Sequence, residues 1–189
     1  VARPIAVLGG TFDPVHNAHL AIARSALEAL GAARVLWVPT GAPAYRRPAV
    51  ASAAHRLAML RLAIAGEPRY AVDERELAPG HSGYTVETLR GLRAELGAAT
   101  ELVLLMGADQ YAARHRWYRW EEVERLARIA VFARPQAPAP EAAALVVPMA
   151  PLAVSASEIR ARVARGEDIA GLVPPAVADY IRAHGLYRG

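Results

Sequence analysis

Ile5-Ala6-Val7-Leu8-Gly9-Gly10-Thr11-Phe12-Asp13-Pro14-Val15-His16-Asn17-Ala18-His19 is the stretch that decides the fold. An apolar run, Ile5 to Leu8, ends in two glycines, and a helix-compatible segment starts a few residues later: strand, glycine turn, helix start. Such a junction aims backbone N–H groups and the positive end of a helix dipole at whatever sits above the strand, a setting suited to phosphate. His16 and His19 stand i and i+3 on the first turn and share a face, where imidazole N–H groups donate to phosphate oxygens that gain charge during transfer. The segment holds neither G-x-G-x-x-G nor G-K-[ST], which disfavours a bound dinucleotide cofactor and a P-loop NTPase. A plainer reading has the glycines shape a turn and the histidines cap a helix. A zinc site at His16, Asn17 and His19 lacks a third protein ligand at a recognisable spacing.

Outward from that junction, apolar β-prone runs alternate with helical patterns. Ile5 to Leu8, Val35 to Val38, Tyr70 to Val72, Leu102 to Met106, Ile129 to Phe132 and Leu145 to Val147 read as strands, mostly apolar on both faces as parallel sheets require. Ala18 to Leu30, Ala53 to Ala65, Val86 to Leu96, Glu121 to Arg128, Ser157 to Arg165 and Pro175 to His184 read as helices. The alternation predicts an α/β fold, a Rossmann-like doubly wound parallel sheet of about five or six strands. Residues 1–189 are read as one domain, with 153–189 a small helical part over the carboxyl edge of the sheet, where ligands bind in open α/β folds. Arg134 to Pro140, with three prolines, reads as a loop within the sheet rather than a linker.

Composition agrees with a compact enzyme. The chain has 189 residues, 54% of them hydrophobic, enough for one good core. It has no cysteine, so disulfides, a thiolate nucleophile and cysteine-ligated metal are excluded. Every basic side chain other than histidine is arginine, and the formal net charge is +4, equally consistent with anionic small molecules or nucleic acid. No basic stripe with interleaved aromatics points to nucleic acid. No run approaches a membrane span and no signal-peptide layout is read at the N-terminus, so the cytoplasm is the expected compartment, with no membrane partner.

The eleven residues from Gly9 to His19 resemble the nucleotidyltransferase superfamily marked by T-F-D-P-x-H-x-G-H, with Ala18 in place of the glycine between the histidines. Val154-Ser155-Ala156-Ser157-Glu158-Ile159-Arg160 taken alone is an ordinary helix start, Ser155 and Glu158 forming a capping box. It also resembles the superfamily's second motif, I-S-S-T-x-I-R, with Val154, Ala156 and Ser157 as departures. Together the motifs imply nucleotidyl transfer: an acceptor phosphate attacks the α-phosphorus of ATP in line, with no covalent enzyme intermediate. The resemblance makes His16 and His19 the catalytic pair. It places Gly9, Gly10, Thr11, Phe12, Ser155, Ser157 and Arg160 around ATP and its phosphates. It also implies Mg²⁺ held mainly through those phosphates, since no dedicated carboxylate cage is visible.

The middle of the chain narrows the resemblance to the bacterial nicotinate-nucleotide adenylyltransferases. Asp73-Glu74-Arg75-Glu76-Leu77, Gly83-Tyr84-Thr85-Val86-Glu87-Thr88-Leu89, Met106-Gly107-Ala108-Asp109-Gln110, Trp117-Tyr118-Arg119-Trp120, Arg134-Pro135 and the closing Tyr180 to Arg188 carry it. The implied acceptor is nicotinic acid mononucleotide, the products deamido-NAD and pyrophosphate. Nicotinate is flat, electron-poor and acidic. Trp117 offers a stacking surface, backbone N–H groups near Tyr84, Thr85 and Tyr118 offer donors to the carboxylate, Asp109 a partner for ribose hydroxyls, and Arg46 and Arg134 partners for phosphate. The family's P-x-H-K-like loop reads Pro43-Ala44-Tyr45-Arg46-Arg47 here, so Arg46 keeps the charge while Tyr45 replaces a histidine. Nicotinamide mononucleotide or phosphopantetheine as acceptor, or a sensor that binds ATP without turnover, are the alternatives. A homo-oligomer is compatible with the sequence, which does not set the oligomeric state.

Overall fold

The computed structural model describes residues 2–43, 45–133, 145–149 and 152–189. Six parallel strands, β1 (Ile5–Gly10), β2 (Arg34–Pro39), β3 (Tyr70–Val72), β4 (Leu102–Gly107), β5 (Arg128–Ala133) and β6 (Leu145–Pro148), form one sheet in the order β3-β2-β1-β4-β5-β6. The helices are α1 (Asn17–Glu28), α2 (Ala53–Ile64), α3 (Thr85–Leu96), α4 (Ala108–Ala112), α5 (Trp120–Leu126), α6 (Ala156–Ala164) and α7 (Pro175–Ala183). This is the Rossmann-like α/β sheet expected from the alternation of patterns.

Strand alternation builds two cores. Ala6, Leu8, Val35, Trp37, Val103, Leu105, Ala130 and Phe132 face one side of the sheet, where Met59 and Leu60 of α2, Ile159 of α6 and Val177 and Ile181 of α7 cover them. Val7, Leu36, Val38, Leu102, Leu104, Met106, Ile129 and Val131 face the other, under Leu89 and Leu92 of α3 and Val123 of α5. Apolar residues on both faces of each strand are what a doubly covered parallel sheet demands. The C-terminal helices therefore add to the same core as α2.

Most boundaries fall within a residue or two of the expected ones. α1 stops at Glu28, because Gly31 with φ 62° turns the chain back toward β2. Two kinds of element escaped the pattern reading: the five-residue α4, and single 3₁₀ turns at Arg75–Leu77 and Arg114–Arg116. Each is too short to show a helical stripe. The expected loop from Arg134 to Pro140 lies outside the described residues.

Strand order reverses between β1 and β4, so the connections leaving them run to opposite faces and open a crevice beyond their carboxyl ends. Those ends are Gly9-Gly10 and Gly107. Among the described residues no helix is long and apolar enough to cross a membrane.

Candidate active site

A cleft of about 970 Å³ opens at this crevice, lined on one side by Gly9, Gly10, Thr11, His16 and His19 and on the other by Ala156, Ser157 and Arg160. A second, small cavity of about 50 Å³ lies on the α3 side, lined by Arg46, Glu76, Gly83, Thr85, Thr88 and Trp117. Gly9, Gly10, Arg46, Leu105 and Gln110 line both.

Glycine at position 10 has a local cause. The Phe12 ring lies beneath it, and a Cβ there would sit 3.0 Å from Phe12 Cε1. Phe12 takes the left-handed conformation, φ 51°, and its ring is buried against Trp37 and edge-on to His19 at 4.9 Å. What Phe12 offers a phosphate is therefore its backbone.

His16 caps α1 in extended conformation, and its backbone N–H donates to Nδ1 of His19 at 3.1 Å. The two rings stack at 3.7 Å, inclined by 23°. Burial lowers the His16 pKa to about 4. Burial, with His16 adding to it, holds His19 well below the usual histidine range. Both imidazoles are thus neutral at physiological pH, and His19, accepting at Nδ1, carries its proton on Nε2. Nδ1 of His16, like Nε1 of Trp37 in the core, is buried without a hydrogen-bond partner among the described residues; that of His16 belongs to a residue lining the cleft.

The turn before α1 is held by Asp13, which stands inside the first motif, and by Arg56, which the sequence did not single out. The Asp13 carboxylate accepts from Val50 N at 2.7 Å, Ala51 N at 3.0 Å and Tyr187 Oη at 2.7 Å. Arg56, 3% exposed on α2, donates to the carbonyls of Thr11 at 2.7 Å, Thr40 at 2.8 Å and Ala51 at 3.3 Å. An arginine in the first turn of a largely apolar helix is a weak signal for it, and Arg61 of the same helix is exposed.

The second motif meets the first directly. Arg160 donates to the Asp13 carbonyl at 2.8 Å and lies 4.0 Å from its carboxylate. The Ser155 hydroxyl caps α6 by accepting from Glu158 N at 3.2 Å, and its Oγ lies 3.4 Å from that of Ser157. Ser157 and Arg160 line the cleft; Ser155 stands behind them as the cap.

On the other side, Tyr45 stacks on Tyr84 at 4.8 Å with rings 3° from parallel, and Tyr84 meets Tyr118 at 4.5 Å. Tyr45 Oη also donates to the Gly83 carbonyl at 2.7 Å. The column joins three separate segments of chain, and Gly83, which Tyr45 holds, lines the small cavity. Trp117 packs edge-on to Trp120 at 5.8 Å. Its backbone N–H goes to Arg114 O and that of Tyr84 to Ser82 Oγ, whereas Thr85 opens α3 and its N–H has no intrahelical acceptor. Asp109 is exposed in the first turn of α4 and lines the large cleft beside Gln110, whose Oε1 accepts from Gly107 N. Arg134 lies outside the described residues.

A model of the cytidylyltransferase-like family matches residues 7–162. A protein of Laribacter hongkongensis named "Probable nicotinate-nucleotide adenylyltransferase" is 44% identical, over 97% of this chain and 94% of its own length. The chain belongs to the nicotinate-nucleotide adenylyltransferase family. A Bordetella petrii relative of the same name is 45% identical over 98% of this chain and 100% of its own. Among solved structures, the Plasmodium falciparum nicotinic acid mononucleotide adenylyltransferase complexed with NaAD shares the fold, with a TM-score of 0.84 at 18% identity and 98% of each chain covered. Of the motifs that carry the resemblance, all but the Arg134-Pro135 segment fall within the described residues; the two phosphate motifs line the large cleft, Thr85 and Trp117 line the small cavity, and the closing segment reaches the first motif through Tyr187 and Asp13.

Proposed function

We infer that this chain transfers the adenylyl group of ATP to nicotinic acid mononucleotide, releasing pyrophosphate and forming deamido-NAD. The observation that carries the reading is the meeting of two cavities at Gly9-Gly10, one lined by both nucleotidyltransferase motifs and the other by Trp117, Thr85 and Arg46. Relatives of that name, 44% and 45% identical over nearly the whole chain, support the choice of acceptor.

An oxygen of the acceptor phosphate forms a bond to the α-phosphorus of ATP as the bond from that phosphorus to the β-bridging oxygen breaks, and pyrophosphate carries away the electron pair. No side chain becomes covalently attached, so the protein contributes alignment and charge stabilisation. His19 Nε2–H and the neutral His16 donate to α- and β-phosphate oxygens. The backbone of Gly9 to Phe12 and the start of α1 receive the phosphates. Ser157 and Arg160 hold the leaving pyrophosphate, with Ser155 fixing their helix. Arg46, at the junction of the cavities, holds the acceptor phosphate, with Arg134 assigned the same task. Trp117 stacks on the ring, the Thr85 N–H at the start of α3 and the N–H groups near Tyr118 receive its carboxylate, the Tyr84 N–H being taken by Ser82 Oγ, and Asp109 takes ribose hydroxyls.

A divalent metal accompanies nucleotidyl transfer in this family. Among the described residues no three His, Cys, Asp or Glu side chains cluster to hold an ion, and the Asp13 carboxylate is occupied by three donors. That donor set fits Mg²⁺ bound by the triphosphate and water, where the ion neutralises phosphate charge.

Pyrophosphate release from ATP and Mg²⁺, measured with nicotinic acid mononucleotide, nicotinamide mononucleotide and phosphopantetheine separately, tests the reading. Release at least about tenfold faster with the acid than with either other acceptor is expected. Faster release with another acceptor overturns the assignment of the Trp117 cavity. Silence with all three overturns the activity.

A further inference from the structure

Glu76 is a buried carboxyl that adenylyl transfer, as derived above, leaves without a task. It stands in the 3₁₀ turn after β3, 8% exposed, and lines the small cavity with Thr85, Trp117 and Arg46. The Glu76 carbonyl lies close against Gly41, where a Cβ would come within 2.3 Å of it. Oε2 accepts from Thr88 Oγ1 at 2.7 Å, and no cation lies within ion-pairing distance among the described residues. Neighbouring Asp73 is held by Arg75 through two bonds of 2.8 Å, and Arg75 reaches Glu95 as well, so that arginine is committed elsewhere.

The charged or titratable groups facing Glu76 are Arg46 and the Tyr45 hydroxyl from the loop after β2, and Asp73 and Arg75 from its own segment; α3 presents the Thr88 hydroxyl. Burial is the largest influence and Asp73 adds to it, while Thr88, Arg46 and Arg75 oppose it; the balance raises the carboxyl to about 7. An acceptor that brings its own carboxylate to the first turn of α3 puts a second acid into the same small cavity. Two carboxylates in a poorly hydrated site do not both stay ionised. The acid attached to a pyridinium ring is the stronger of the two, so the proton goes to the protein.

We propose that Glu76 is a specificity-determining residue: it takes up a proton as the acidic mononucleotide binds and, as a neutral carboxylic acid, donates a hydrogen bond to the ring carboxylate. The inference rests on the acceptor reading given above. An amide in that position calls for no proton and repels none, so the uptake distinguishes the two mononucleotides.

Calorimetric titration of the full chain at about pH 8, in two buffers of different ionisation enthalpy, counts the protons. At that pH the acceptor's phosphate, with a second pKa of about 6, is already fully ionised and contributes none. Nicotinic acid mononucleotide is expected to bring in more than half a proton per molecule bound, and nicotinamide mononucleotide none. With Glu76→Gln, whose amide supplies a permanent donor, uptake is expected to vanish and the acid to bind about tenfold more tightly than to the unmodified protein. Binding of the acid without uptake overturns the proposal, as does equal uptake with the amide or unchanged uptake in Glu76→Gln. The count on the unmodified protein decides by itself if the variant fails to fold. No binding of the acid at all sinks the acceptor reading and this inference with it.

Discussion

The backbone N–H of His16 donates to Nδ1 of His19 at 3.1 Å, and that bond fixes which nitrogen of His19 carries the proton. The cap of α1 thereby turns Nε2–H into a donor with a defined direction. With the imidazole neutral, donation to phosphate strengthens as charge develops in the transition state, without a cation that would bind ATP tightly beforehand. His19→Ala is expected to lower turnover by about 100-fold or more while changing ATP affinity less than about fivefold. Steady-state turnover set beside calorimetric ATP binding checks this. Equal losses in both would refute a transition-state role.

The same burial sets a pH dependence of stability. The His16 pKa falls from 6.5 to about 4 on folding, so the unfolded chain binds the proton more tightly. Its contribution is whole above pH 6.5 and is lost as pH falls toward 4, by about 3 kcal/mol at full extent. Glu76, raised to about 7, works the other way: its contribution is whole at low pH and is lost as pH rises toward 7. The histidine share is therefore read as a difference. Urea unfolding of the unmodified protein and of His16→Asn between pH 7 and pH 5 is expected to show the smaller acid destabilisation in the variant.

Tyr187 ties the end of the chain to the first motif through Asp13, across 174 residues of sequence. Burial and the Asp13 carboxylate both push the phenol's pKa up, so the proton stays on the tyrosine and the bond holds at any working pH. Tyr187→Phe is expected to lower stability by about 1–3 kcal/mol, since it strips a buried donor from a charged acceptor. Asp13→Ala should exceed that, because it releases the Val50 and Ala51 amides as well. Denaturant midpoints at constant slope give both numbers.

Strands were legible because each carries apolar residues at both parities, as in Leu102 to Met106, and only a sheet covered on both faces makes use of that. The short α4 was not legible: Ala108 to Ala112 is barely more than one turn and its capping comes from the strand end at Gly107. In the site, the histidines and Arg160 could be read from spacing and resemblance. Arg56 could not, because one arginine on a helix looks like a solvated charge until three carbonyls are found around it. Glu76 stood in a quoted motif, yet nothing in the sequence tells a buried carboxyl from an exposed one.

Arg56 also yields a stability test. Its guanidinium answers the carbonyl of Thr11 in the connection after β1 and those of Thr40 and Ala51 at the two ends of the connection after β2. Arg56→Met removes the donors and leaves those groups unanswered, so a loss of about 3–5 kcal/mol is expected. Arg56→Lys should recover little, since one ammonium cannot reproduce the fork. Thermal or urea denaturation of the two variants decides it; a lysine variant as stable as the parent would show that charge alone suffices.

Tyr45 stacks on Tyr84 and bonds the carbonyl of Gly83, which lines the cavity of about 50 Å³. Pockets that hold small molecules run to about 300–1,000 Å³, so the lining, Gly83 included, must give way for a mononucleotide to enter. Each contact that keeps it shut therefore subtracts from acceptor affinity, as any equilibrium toward a closed form does. Tyr45→Phe keeps the stack on Tyr84 and loses the bond to the Gly83 carbonyl together with the hydroxyl's contact with Arg46. Acceptor binding, followed by Trp117 fluorescence, is expected to tighten by about two- to tenfold, with ATP affinity unchanged. Tyr45→Ala should tighten it further yet lower turnover, because Arg46, which lies 5.8 Å from the Tyr45 ring, then loses its support beside the reacting phosphates. Weaker acceptor binding in the phenylalanine variant would mean that the hydroxyl clamps the acceptor in place instead of holding the cavity closed.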